Sequence, residues 1–211
     1  MHKLLLLLLG GFAVLLTGCG GGDAGVATVQ DLTDDHGYHG AWLDRPYTVP
    51  DVALTDTAGE RYLVADDPAE LTLVFFGYTN CPDVCQVVMS TIASAVTRLG
   101  PADRRQVQVA FVTTDPARDT REVLRGYLDR FDPTFVGLTG PLPRVVALGK
   151  PLGVYVEQGE RLPSGGYEVD HTASVTAVRN GRAPLVWTPG TSPTDLAADV
   201  HRLLENREAH R

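Results

Sequence analysis

Cysteine is scarce in this chain: three residues among 211, Cys19, Cys81 and Cys85. That is too few for a disulfide-stapled scaffold, and the chain is long enough for one domain with a hydrophobic core of its own. Basic charge is also in short supply. Lys and Arg number 18 against 26 Asp and Glu, a formal net charge of −8. Nothing forms a basic stripe, so nucleic acid is not an expected partner. The acidity gives solubility and some attraction for cations or a basic partner. No internal repeat is present. Long apolar runs are missing too, apart from Leu4 to Leu16, which is too short to span a bilayer comfortably.

That single run gives the N-terminus its meaning. His2 and Lys3 supply a short polar or basic start, and Leu4 to Leu16 suits the apolar core of an export signal. It ends in Leu16-Thr17-Gly18-Cys19, which resembles the lipobox of bacterial lipoproteins, where the Cys is lipidated and becomes the mature N-terminus. The expected organisation is a signal peptide over 1–18, a lipidated Cys19 with a flexible tether over 19–45, and a globular domain over 46–211. An ordinary signal peptide or a short membrane anchor is the plainer alternative. Each places the domain outside the cytoplasm, where disulfides persist; the lipobox places it on the outer, periplasmic face of the cell membrane. Gly20 to Gly25 reads as the tether proper. His36 and His39 are candidate metal ligands, against the plainer reading of a solvated linker.

Val49 to Val64 reads as a strand and turn, a hairpin with Arg61 to Val64 as its second arm. Leu71 to Phe76 is a buried strand. A helix is expected over Val84–Leu99, with Val87, Val88, Ile92, Ala95, Val96 and Leu99 on its apolar face. Val107 to Val112 is a second buried strand. Asp119 and Glu122 have capping-box spacing, which predicts a helix from about Thr120 to Arg130 with Asp119 as its cap. A short helix over Pro143–Gly149, a short strand over Val154–Glu157 and an exposed loop over Gln158–Gly166 follow. A strand over Ala173–Val178 leads into Asn180-Gly181, the strongest hairpin signal in the chain, with Pro184 to Trp187 as partner. Pro193 to Glu205 closes the domain as a helix. Strands alternating with helices imply parallel pairing, and the final hairpin adds antiparallel strands. The fold class is therefore α/β and thioredoxin-like: a mixed central sheet flanked by helices, with an N-terminal β-hairpin extension.

Cys81 and Cys85 sit where the first buried strand hands over to a helix. The helix N-terminus favours a thiolate, and Cys-x-x-x-Cys spacing puts the sulfurs one turn apart on one face. Gly77, Asn80 and Pro82 place the pair at an exposed end of the sheet. That arrangement suits a disulfide or a shared soft metal ion. In thioredoxin-like folds the loop that carries Asp170-His171 faces the cysteines. His171 then completes a Cys₂His set, which suits copper and also zinc with a water; a histidine held by a core hydrogen bond is the plainer reading. Asp115 ends the second buried strand at the same edge. It is a candidate to orient His171 or to add negative charge near a cation, or else a turn residue paired with Arg118.

Three segments together resemble the Sco/SenC family: Phe76-Gly77-Tyr78-Thr79-x-Cys81-Pro82-Asp83-x-Cys85, Asp115-Pro116-x-Arg118-Asp119-Thr120 and Asp170-His171-Thr172-Ala173. The resemblance covers about Pro50 to Leu204. It implies a membrane-anchored, thioredoxin-like copper chaperone that helps assemble the dinuclear copper centre of cytochrome c oxidase. It also implies copper, as Cu(I) or Cu(II), on Cys81, Cys85 and His171, with Asp115 nearby. Family members anchored by a transmembrane helix differ from this chain, where the lipobox takes that place. On this reading a Cys81–Cys85 disulfide switches copper acceptance off, and no substrate turnover is implied. The partners are a copper-accepting oxidase subunit and a copper donor or thiol reductant. Nothing in the sequence calls for an obligate interface, so a monomer is expected. The alternative is an enzyme, a thiol–disulfide oxidoreductase that reduces the oxidase's copper-ligand cysteines, with Cys81 attacking and Cys85 resolving.

Overall fold

A computed structural model describes residues 36–161, 167–171 and 173–206, with 157–161 and 167–171 described through their backbone alone. The signal, Cys19 and the tether proper lie outside these residues. Among the described residues no helix is long and apolar enough to cross a membrane.

The sheet grows outward from β4 (Leu71–Gly77), whose seven residues are all buried. Side chains alternate across a strand, so Leu71, Leu73 and Phe75 enter one core and Val74 and Phe76 the other. Both faces of the strand are covered, which is why its sequence is a continuous apolar run rather than an alternating one. β5 (Val107–Thr113) pairs with it in parallel, and β6 (Val136–Thr139) pairs in parallel with β5. On the other side β9 (Val175–Arg179) runs antiparallel to β4, followed outward by β10 (Arg182–Trp187) and β1 (Ala41–Thr48). The hairpin of β2 (Ala53–Asp56) and β3 (Arg61–Leu63) extends the β6 edge. The order is β1-β10-β9-β4-β5-β6-β2-β3, and β7 (Val156–Arg161) with β8 (Tyr167–His171) forms a separate two-stranded sheet.

One face carries α1 (Val84–Arg98), α3 (Arg121–Leu128) and α5 (Pro193–Glu205), and the opposite face carries α4 (Leu142–Gly149). A four-residue α2 (Pro101–Arg104) follows α1, with Pro101 at its start, where a missing N–H costs nothing. Asn180 and Gly181 both have positive φ, 49° and 68°, the conformation a two-residue hairpin turn demands.

Several expectations need correction. The segment read as tether up to residue 45 includes the start of β1, and residues 38–40 before it are docked. Tyr38 is buried, and the Asp199 carboxylate of α5 accepts from His39 N at 3.0 Å, Gly40 N at 2.9 Å and Trp187 Nε1 at 2.8 Å. His39 Nδ1 lies 2.9 Å from the same carboxylate, and His36 Nε2 lies 3.7 Å from Asp44. Both histidines thus sit beside carboxylates, His39 as part of a packing joint, not in a solvated linker. Val87, expected on the inner face of α1, is 55% exposed; Cys85 and Met89 take that face instead. β6 and β8 were absent from the expected elements, and β7 runs into the stretch expected to be loop. Each is short and draws its stability from a neighbour.

Candidate metal centre

The cysteine loop leaves β4 at Gly77. A Cβ built on Gly77 would lie 3.0 Å from the Phe75 and Phe111 rings and 3.1 Å from Cys85 Sγ. No other residue lets the sulfur approach the strand end so closely. Cys81 N then donates to Tyr78 O at 3.2 Å, closing a turn that aims Cys81 back at α1. Asp83 stands at the N-cap of α1 but makes no cap hydrogen bond. The Cys81 sulfur fills that role, accepting from Cys85 N at 3.4 Å. It satisfies one of the free N–H groups of the first turn.

Cys81 and Cys85 are both in the reduced form, with no disulfide between them. They are more enclosed than the turn residues suggest: Cys81 keeps 6% of its surface and Cys85 none, while Pro82 and Asp83 are exposed. Burial pushes the Cys85 thiol far above its usual range. Its hydrogen bond with Cys81 adds to this, and one involving the Tyr78 backbone opposes it. Burial therefore opposes, at Cys85, the thiolate form that a helix terminus favours.

The register explains why distant segments meet here. Gly77 pairs with Thr113 in the parallel β4–β5 ladder, so the loop after β5 leaves the sheet beside the cysteine loop. Val175 pairs with Phe75 in the antiparallel β4–β9 ladder, so the chain entering β9 arrives at the same edge. His171 ends β8 opposite Val156. Val156 and Ala173 pack against the core that contains Cys81 and Cys85. The backbone of His171 is thus flanked by residues that touch the cysteine core; its side chain lies outside the description. It ends a strand rather than standing in a loop. Among the described residues no set of three His, Cys, Asp or Glu side chains is placed to hold a metal.

Asp115 is buried and ion-paired with Arg118, whose guanidinium carbon stands 6.0 Å from the Tyr78 ring centroid. Asp119 is not the helix cap. Thr120 is, accepting from Val123 N at 3.3 Å. Asp119 is instead fully buried and accepts from Thr79 N at 3.0 Å, Thr79 Oγ1 at 2.5 Å and Thr113 Oγ1 at 2.6 Å. Burial lifts its carboxyl above the ordinary range against the pull of these bonds. No spacing signal reveals this contact, since β4–β5 pairing is what brings residues 79 and 113 together. Tyr127 was missed as well. It packs in the core that holds the cysteines, its ring 5.4 Å from Phe111, and its hydroxyl has no hydrogen-bond partner among the described residues. The paired thiols are soft donors.

A mixed sheet with a dithiol at the end of its central strand defines a thioredoxin-like dithiol protein. More particularly, the chain belongs to the SCO1/SenC family, whose model matches residues 43–205. Apo Sco1 of Thermus thermophilus is 34% identical, with a TM-score of 0.72 over 79% of this chain and 96% of that one. ScoI of Bradyrhizobium japonicum, solved with copper bound, is 32% identical, with a TM-score of 0.64 over 78% of this chain and 98% of that one. Mitochondrial SCO2 of Saccharomyces cerevisiae is 30% identical over 146 residues, 69% of this chain and 47% of that protein. The chain spans about half to two thirds of the length of the curated relatives it matches.

Proposed function

We propose that this protein is a lipid-anchored copper chaperone acting outside the cytoplasm. It takes copper on Cys81, Cys85 and His171 and passes it to the dinuclear copper centre of cytochrome c oxidase by ligand exchange. The observation that carries the reading is the Cys81 sulfur 3.4 Å from the Cys85 amide, a contact that holds the turn with one soft donor against the helix that carries the other, in a chain similar to copper-bound ScoI. Two thiols and an imidazole suit Cu(I), which accepts few, soft ligands. Capture replaces protons: one Cu(I) and two thiols give a bis-thiolate complex with a single negative charge and two released protons. Asp115, whose charge Arg118 offsets, fixes the turn after β5 that leaves the sheet beside the cysteine loop. Oxidation of the pair to a disulfide gives up two protons and two electrons to an external oxidant. It removes both sulfur ligands, so thiol redox state is the switch.

A thiol–disulfide reductase needs an accessible attacking thiolate. The enclosure of both sulfurs favours metal holding over that chemistry. Anaerobic Cu(I) and Cu(II) titration of the reduced protein, with His171→Ala alongside, tests the proposal. One tight copper, greatly weakened by the substitution, is expected. Unchanged copper binding and oxidase assembly in His171→Ala, together with loss of target-peptide reduction in Cys81→Ser, would establish the reductase instead. For the anchor, Cys19→Ser is expected to release the protein from membranes.

A further inference from the structure

The turn after β5 grips the cysteine loop at consecutive residues. Arg118, held by Asp115, stands over Tyr78, and Asp119 receives both the amide and the hydroxyl of Thr79. Thr113, the third donor to Asp119, also accepts from Asp115 N at 3.0 Å, so strand end and turn are tied to the same carboxylate. Thr114 adds two bonds to Gly77 O, from its amide at 2.8 Å and its hydroxyl at 3.2 Å. Thr79 is two residues before Cys81, whose amide closes the turn on Tyr78 and whose sulfur caps α1.

We propose that Asp119 is a positioning residue, whose buried carboxylate fixes the Cys81 loop against β5 and so sets where the Cys81 sulfur stands relative to α1. A carboxylate with none of its surface in water is costly unless its lone pairs are filled. Here a backbone amide and two hydroxyls fill them, and two of the three come from the cysteine loop. A helix cap needs none of this, and that task already belongs to Thr120. Without the carboxylate the Thr79 amide loses its acceptor and the loop loses its tie to the sheet.

The test has one arm that does not involve copper, since the second arm rests on the copper reading. In the reduced apo protein, Asp119→Ala is expected to speed amide exchange at Thr79 and Cys81 by about tenfold, the equivalent of one lost hydrogen bond, relative to amides in the middle of β4. Asp119→Asn keeps an acceptor for the Thr79 amide and is expected to restore most of that protection. In the second arm, Asp119→Ala weakens Cu(I) binding by a similar factor, again about tenfold. Val145→Ala, in α4 on the opposite face, lowers stability without weakening copper. Exchange at Thr79 and Cys81 rising no more than in β4, or equal in the Ala and Asn variants, overturns the proposal. So does copper affinity that falls as much in Val145→Ala as in Asp119→Ala. A wild-type protein that binds no copper overturns the copper reading and leaves the exchange result to decide the positioning role.

Discussion

The sulfur of Cys81 caps the helix that carries Cys85, accepting from the Cys85 amide at 3.4 Å. One hydrogen bond therefore joins the start of α1 to the spacing of its two thiols. The usual oxygen cap is missing at Asp83, so the helix terminus itself draws Cys81 inward. Burial first, and a side-chain hydrogen bond with Cys81 second, raise the Cys85 thiol, which has a measurable consequence for proton balance.

Cys85 stays protonated at neutral pH because burial holds its thiol well above the ordinary 9.0. Copper capture at neutral pH then releases at least the Cys85 proton. Isothermal titration in buffers of differing ionisation enthalpy is expected to count at least one proton per copper, and none would contradict thiolate ligation by Cys85. The sign for stability follows from linkage. A thiol raised in the folded state contributes fully below 9.0, and that contribution drains away as pH climbs from there toward the folded value. Urea midpoints of the reduced apo protein should fall above pH 9.0 more steeply than those of Cys85→Ala.

Gly77→Ala puts a methyl group 3.1 Å from the Cys85 sulfur and 3.0 Å from two phenylalanine rings. Overpacking of this kind costs about 1–3 kcal/mol. The sulfur sits on a helix and the rings lie in a full core, so neither moves freely. Urea denaturation is expected to show a loss in that range, and copper titration a weaker site. A variant of wild-type stability and affinity would show that the strand end is looser than its contacts imply.

Asp199→Ala leaves the Trp187 indole N–H and the amides of His39 and Gly40 without their acceptor. Each buried orphan donor costs roughly 1–3 kcal/mol before relaxation. A loss of at least about 2 kcal/mol is expected from urea unfolding, with faster amide exchange in β1 than in β4. Copper affinity should fall far less than stability, because Asp199 makes none of the hydrogen bonds that tie the cysteine loop to β5. A uniform rise in exchange across the sheet would mean that β1 is not a separately released edge.

Much of the fold is local enough to be legible in the residues. β4, α1, β5, α5 and the Asn180-Gly181 turn agree with their expected bounds to within a residue or two, because each carries its own signal: an apolar run, a 3.6-residue period, or residues that tolerate positive φ. β1 and β6 carry none. β1 is held by pairing with β10, some 140 residues away, and β6 has only four residues. The site divides in the same way. The cysteine pair, its strand–helix junction and the family to which it belongs follow from the order of residues alone. The enclosure of the thiols, the capping role of Cys81 and the turn of Asp119 from helix cap to loop clamp depend on tertiary structure. The Asp119 clamp exists only once β4 and β5 have paired; the Cys81 cap is local in sequence, but no spacing rule names a sulfur for it, and in both a buried polar atom finds its partner inside the protein.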